Sequence, residues 1–182
     1  SNSDYNYGVA IFTGSQIGES GSNAAINITG TGGNGDDLNV GVYLISTNTK
    51  ILSNNTINIT GTGGLDGTDA SDSNLGIYVR DGAQVGESGS TAAITLTGTG
   101  GQGEDYNFGM RIGEGAGVKI LSENSITLTG TGGTNGDSDS DYNYGVYTDS
   151  GAEIGETGSN AVITLTGTGA AADDNNRGIY FD

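Results

Sequence analysis

Apolar and polar residues alternate in short runs, and the same runs return along the chain at a nearly constant distance. An Asn-x-Gly motif followed by an apolar residue occurs six times, with successive glycines 33, 35, 33, 36 and 33 residues apart. An Ile-x-Ile/Leu-Thr-Gly-Thr-Gly pattern recurs with it, and self-similarity at such a period is typical of repeat architectures. The predicted repeats span approximately residues 5–37, 38–73, 74–105, 106–141 and 142–174, with a partial repeat at 175–182.

Within each repeat the apolar residues alternate with a period of two, which indicates β-strands. The residues one and three positions after the recurring glycine are mostly Val, Ile or Leu, whereas the position between them is Ala, Tyr or Arg. Because this middle row tolerates an arginine, we expect it to face water and its neighbours to face inward. The sequence therefore predicts an all-β fold, a parallel β-helix (β-solenoid) of about five coils of 33–36 residues with three short strands per coil.

Equivalent residues of successive coils would form columns, with a rise of about 4.8 Å per coil. The asparagine of the Asn-x-Gly motif is expected to form one column at a corner, since amide side chains in register can hydrogen-bond one another. Its members are Asn6, Asn39, Asn74, Asn107, Asn143 and Asn176. The sequence contains no proline, which agrees with strands whose N–H groups are nearly all paired to a neighbouring coil.

The composition of the chain argues against several classes of function. The 182 residues carry 5 Lys and Arg against 22 Asp and Glu, a net charge of −17, so we expect no nucleic-acid partner and no membrane insertion. Without His or Cys, the chain has no imidazole base, thiol nucleophile or zinc–thiolate site. Only five basic residues are present to bind acidic sugars, and no coil differs clearly from the others, so we expect no enzymatic activity.

Acidic residues cluster in the loops after the Thr-Gly-Thr-Gly motif. Stacked on one edge, these carboxylates would repel one another, and calcium, which prefers several oxygen ligands, would relieve the repulsion. The candidate calcium ligands are Asp36, Asp37, Glu104, Asp105, Asp137, Asp139 and Asp141. The alternative is that these are solvated surface loops, and no other cofactor is expected.

Two outward rows are candidate binding surfaces. Tyrosines of the middle row, Tyr43, Tyr78, Tyr147 and Tyr180, would offer apolar faces and polar tips to sugars or to a partner surface, or would only stack to stabilise the sheet. Threonines form two further rows, which resemble the Thr-x-Thr rows of ice-binding solenoids and are also ordinary residues of a solvated sheet. The rows are Thr29, Thr60, Thr97, Thr129 and Thr166, and Thr31, Thr62, Thr99, Thr131 and Thr168.

The repeat pattern, Asn-x-Gly-Val-Tyr followed by Ile-Thr-Leu-Thr-Gly-Thr-Gly-Gly, resembles that of very large bacterial surface proteins. These are the filamentous-haemagglutinin-like, two-partner-secreted and autotransporter-type adhesins. The resemblance covers essentially the whole chain and implies a right-handed parallel β-helix that is secreted or displayed at the cell surface. With the repeat itself, it leads us to expect a structural role as a rod or filament segment. The alternatives are a calcium-stabilised glycan-binding adhesin module, from the acidic loops and the tyrosine row, and an ice-binding solenoid, from the threonine rows.

The expected partners follow from the repeat. No polar cap is visible at either end of the repeat array, and open solenoid ends expose strand edges. We therefore expect the chain to stack on flanking repeats of a longer protein or on copies of itself, head to tail or laterally. Glycans or cell surfaces are the further expected partners.

Overall fold

The computed structural model describes residues 5–35, 37–65, 73–103, 105–134, 142–170 and 175–182. These residues form sixteen β-strands and no helix, arranged in three parallel sheets that each take one strand from every coil. The predicted β-solenoid of about five turns, with three strands per coil, is confirmed.

The strands are numbered β1 to β16 in chain order. Sheet A contains β1 (Tyr5–Ile11), β4 (Leu38–Ile45), β7 (Ser73–Arg80), β10 (Met110–Ile112), β13 (Val146–Thr148) and β16 (Ile179–Phe181). Sheet B contains β2 (Gln16–Gly18), β5 (Lys50–Leu52), β8 (Gln84–Gly86), β11 (Lys119–Leu121) and β14 (Glu153–Ile154). Sheet C contains β3 (Ile26–Thr31), β6 (Thr56–Thr62), β9 (Ala93–Thr99), β12 (Ser125–Thr131) and β15 (Val162–Thr168).

Like residues stack on like in all three sheets. In sheet C the same Ile, Thr and Gly positions of β9, β12 and β15 lie opposite one another without a slip. The inward residues of the three sheets form one continuous core, and its side chains are fully buried in the second, third and fourth coils. In the fifth coil the equivalent residues are more open, and Ile163 of β15 is 44% exposed.

The glycines of the two repeated motifs lie where sheets A and C approach backbone to backbone. A Cβ built on Gly61 would lie 2.0 Å from the carbonyl oxygen of Gly76, and one on Gly76 would lie 2.4 Å from the amide nitrogen of Thr99. The same contacts recur at the equivalent glycines of the other coils. Both motifs therefore need glycine because neither backbone leaves space for a side chain.

The segment after the Thr-Gly-Thr-Gly motif begins with parallel pairing between coils, although the sequence predicts a loop there. Leu65, Gln102 and Thr134 pair in parallel as isolated bridges, which extends the stacking beyond sheet C. Among the described residues, no helix is long and apolar enough to cross a membrane.

Candidate functional site

The predicted asparagine column lies inside the solenoid, at the entry to the sheet A strands. Asn6 donates from Nδ2 to Oδ1 of Asn39 at 2.9 Å, Asn39 donates likewise to Asn74 at 2.8 Å, and Asn74 to Asn107 at 3.0 Å. Asn39, Asn74 and Asn107 are fully buried. The structure thus brings the first four predicted members together as a ladder of side-chain amides. Between the fifth and sixth members, Asn176 Oδ1 accepts a hydrogen bond from the backbone N–H of Asn143 at 3.1 Å.

A serine column at the next corner was missed by the sequence reasoning. Ser90 donates from Oγ to the carbonyl of Ser53 at 2.7 Å, and Ser159 donates to the carbonyl of Ser122 at 2.9 Å. Each Oγ also accepts a backbone N–H two residues later, as Ser90 does from Ala92. The signal was available, because the repeats carry a serine after the sheet B strand, one residue after it at Ser53 and Ser122 and four residues after it at Ser22 and Ser90. Alignment of the repeats on their glycines does not bring these serines to the same position, so the column is hidden in the sequence.

The tyrosine row points away from the main core, but the prediction that it faces water is wrong for its central members. Tyr43 is only 5% exposed and Tyr78 only 3%, because both pack into a second apolar cluster on the outer side of sheet A. The cluster is completed by the residue between Asn and Gly of each motif, for example Val40 and Leu75. Sequence alternation identified which side these rings take, but not that another column covers them.

Aromatic rings stack from coil to coil within this second cluster. Tyr43 and Tyr78 are 5.3 Å apart between ring centroids, and Tyr147 and Tyr180 are 5.5 Å apart, with nearly parallel planes in the second pair. Burial raises the pKa of Tyr43 to about 12, and burial together with the nearby Asp149 raises that of Tyr147 to about 12. Both phenols are therefore protonated at neutral pH and able to donate hydrogen bonds.

Arg80 and Arg111, two arginines of the sheet A face, are held by carboxylates. Arg111 makes a two-pronged contact with Asp149, at 2.9 and 3.0 Å, and its Nη1 lies 3.1 Å from Glu114. Arg80 contacts the other oxygen of Glu114 at 3.1 Å. Both guanidinium groups lie over the ring of Tyr78, at 5.5 and 5.4 Å from its centroid. The arginine in the tyrosine row thus replaces ring stacking with cation–π contacts and an ion-pair chain between coils.

The outer groove of sheet A opens in the later coils. A cavity of about 340 Å³ lies there, lined by Tyr106, Phe108, Arg111, Tyr142, Tyr144, Tyr147, Tyr180 and Asp182. Two of the predicted binding tyrosines, Tyr147 and Tyr180, line it, whereas Tyr43 and Tyr78 do not.

Most of the predicted calcium ligands cannot be placed. Asp36, Glu104, Asp137, Asp139 and Asp141 lie outside the described residues, and only Asp37 and Asp105 are described. Within the described part of the chain, no group of three or more acidic side chains converges in the way a metal ion requires. The calcium site therefore stays a prediction from the sequence.

The two threonine rows lie on the outer face of sheet C, in register from β3 to β15. Thr31, Thr62, Thr99, Thr131 and Thr168 are all exposed, and the other row is exposed or half-buried. The geometry of parallel strands spaces the threonines by about 4.8 Å between coils and by about 6.6 Å between the two rows along each strand.

No protein-family model, curated protein or solved structure matches this chain. The similarity to filamentous-haemagglutinin-like adhesins therefore rests on the repeat pattern and on the β-solenoid that the pattern forms.

Proposed function

We propose that the chain is a rod segment of an extracellular bacterial surface protein or fibre, with a structural role. The observation that carries the proposal is the unbroken register of equivalent residues across all three sheets. Each coil contacts mainly its neighbours, so added repeats lengthen the rod without changing its cross-section. An acidic surface without cysteine also suits a protein displayed outside the cell, where solubility and indifference to redox conditions are useful.

The location is tested on intact cells of the source organism with an antibody raised against this chain and a gold-labelled second antibody. We expect label on filaments or on the outer surface, and loss of the signal after protease treatment of unbroken cells. Label that appears only after the cells are lysed would refute the extracellular assignment.

Self-association is tested separately by sedimentation of the natural full-length protein over a range of concentrations. A fibre-forming subunit gives large particles whose fraction grows with concentration. A uniform monomer at every concentration would exclude the fibre version and leave a rod built from one long chain.

The exposed threonine array favours ice binding as a second candidate function. Purified protein would then give faceted ice crystals and a gap between freezing and melting points. Thr99→Lys and Thr131→Lys, in adjacent coils of the array, should abolish both effects, whereas Thr157→Lys, in the exposed loop after β14, should not. Round crystals from the unaltered protein, or equal loss in the Thr157 variant, would reject this candidate.

A further inference from the structure

The later coils of sheet A depart from the repeat at the position before the ladder asparagine. In the first three coils that residue lies in a β-strand, as Tyr5 and Leu38 do. In the later coils the backbone turns into the left-handed region, with φ of 52° at Tyr106 and 62° at Tyr142. Bulky side chains rarely adopt this conformation, which costs on the order of 1–3 kcal/mol and persists only where the surrounding structure holds it.

The left-handed turns set two tyrosine rings upright beside the groove. The ring of Tyr106 is at 89° to that of Phe108, and the ring of Tyr142 is at 86° to that of Tyr144. Phe108 and Tyr144 are nearly buried and stack on one another, with centroids 5.3 Å apart and planes parallel to within 1°, so they close the bottom of the groove. Tyr106, which is 42% exposed, stacks on Tyr142 to form one wall.

The opposite side of the groove is open for a separate reason. Six positions after the ladder asparagine, the first three coils carry Phe12, Ile45 and Arg80, which pack against the outer cluster; Phe12 lies edge-on to Tyr7 and Tyr43. The later coils carry Gly113, Asp149 and Asp182 at this position. Asp149 turns to Arg111, and a Cβ on Gly113 would lie 2.5 Å from the Cβ of Asp149.

The charged groups and aromatic rings that line the cavity indicate which class of ligand it can bind. The charged groups that line the cavity are one cation, Arg111, and one anion, Asp182, so the cavity does not favour an ion of either sign. Cation positions are also taken within the molecule, since Arg111 lies over Tyr147 at 5.5 Å and Arg177 over Tyr180 at 4.3 Å. What remains is a trough lined mainly by aromatic rings, whose tyrosines and Asp182 also supply phenolic hydroxyls and one carboxylate.

We infer that this cavity is a binding site for a neutral saccharide, whose apolar C–H faces pack against the tyrosine rings of the lining and whose hydroxyls bond to its phenols and carboxylate. A sugar ring combines apolar C–H faces with a girdle of hydroxyls, which matches both surfaces. The site runs along the solenoid axis from the fourth coil to the sixth, which suits a linear oligosaccharide. It deepens the glycan-binding alternative and does not depend on the proposed rod function.

Calorimetric titration of the purified chain tests the site with neutral oligosaccharides of glucose, galactose and mannose. Choline and oligogalacturonate serve as cationic and anionic probes. We expect one or more of the neutral sugars to bind and to change the tyrosine fluorescence. Choline or oligogalacturonate binding in their place, or no binding by any neutral sugar, would overturn the assignment.

The variants use residues that other coils already carry. Tyr106→Asn copies Asn175, which has the same left-handed φ, and should weaken sugar binding by at least about tenfold, which is about 1.4 kcal/mol. Asp182→Phe copies Phe12 and should close the cavity. Tyr5→Asn, the matched change in the first coil, should leave affinity unchanged. Equal losses in the Tyr5 and Tyr106 variants, with melting temperatures unaltered, would place binding elsewhere and refute the site. Since sugar binding is measured on the isolated chain, its failure leaves the test of the extracellular location unaffected.

Discussion

Single residues hold the coils of this solenoid together through backbone contact and buried amides rather than through large side chains. The chain has 36 glycines, and those of the two repeated motifs lie where a methyl group would enter a neighbouring backbone. The buried asparagines bond to one another from coil to coil. Both features follow from stacking identical residues at a fixed rise, so each makes a distinct prediction for substitution.

Gly76→Ala should destabilise the fold by about 3 kcal/mol or more, because its Cβ would lie 2.4 Å from the amide nitrogen of Thr99. Gly89→Ala is the matched control, since Gly89 has a φ of 76° and nothing within 4 Å of its built Cβ. That control should lower the free energy of unfolding by only about 1 kcal/mol, the cost of an alanine in the left-handed backbone conformation. Urea unfolding of both variants compares the two losses. Similar losses would show that the sheets separate easily at Gly76.

Asn74→Ala should lower the free energy of unfolding by about 2–4 kcal/mol, because it removes two hydrogen bonds of a buried ladder and leaves partner atoms of Asn39 and Asn107 without them. Asn58→Ala removes a comparable amide bond, from Asn58 to Asn27, on the exposed face and should cost less than about 0.5 kcal/mol. Denaturant melts measure both. A small loss at Asn74 would mean that water replaces the amide in the ladder.

Tyr43 predicts a loss of stability at high pH. Its folded-state pKa is about 12, against an ordinary value of 10.0, so the folded chain keeps the proton that the unfolded chain loses. Stability is therefore full below pH 10 and falls as pH rises from about 10 to about 12. Tyr43→Phe should make this fall smaller, as measured by thermal melts, and should remove a late step from the ultraviolet titration of tyrosinate. An unchanged pH profile in the variant would show that Tyr43 ionises normally.

At the scale of elements, two corner types alternate after the sheet B strands. The first, third and fifth repeats carry Gly-Glu-Ser/Thr-Gly-Ser there, and the second and fourth carry the shorter Leu-Ser. The loops after β8 and β14 belong to the third and fifth coils, and they touch across the fourth coil, whose corner is shorter. Glu156 accepts a hydrogen bond from the hydroxyl of Ser88 at 2.5 Å and from the N–H of Gly89 at 3.2 Å. The serine column passes through both corner types. The backbone therefore follows the same course in each, and the longer corner adds an outward bulge to it.

Glu156→Ala should free the loop between β8 and β9, because the carboxylate holds both a hydroxyl and a backbone amide of that loop. We expect amide hydrogen exchange at Gly89 to become several-fold faster while exchange in β9 is unchanged. Glu87→Ala, at the equivalent position two coils earlier in the chain, is the control and should leave Gly89 as it was. Unaltered exchange in the Glu156 variant would show that the loop is held by its own turn.

At the scale of the whole molecule, the chain carries a net charge of −17 and has only a thin apolar core. Electrostatic repulsion between coils therefore opposes their stacking. Salt shortens the range of that repulsion to about 10 Å at 0.1 M. The melting temperature should rise as sodium chloride is added and then level off.

A calcium site would raise the melting temperature further than sodium chloride of equal ionic strength does, and a chelator would reverse the gain. An equal rise with calcium and with sodium chloride of the same ionic strength would refute the calcium prediction.

The sequence by itself determined the architecture of this protein. A period of two within a repeat of 33–36 residues sets the strands, and identical residues at each period set their parallel register, because only stacking of like on like buries the Ile rows and pairs the asparagines. Local pattern suffices where neighbours along the axis are copies of one another.

Only the tertiary structure decided what happens where unlike positions meet. The cover over Tyr43 comes from columns such as Val40, which pack beside it across sheet A, and alternation along one strand says nothing of such lateral neighbours. The cavity depends on left-handed φ values at Tyr106 and Tyr142 and on Gly113 opposite them. Those features lie in the repeats' small differences, whose effect depends on side chains brought together from three successive coils.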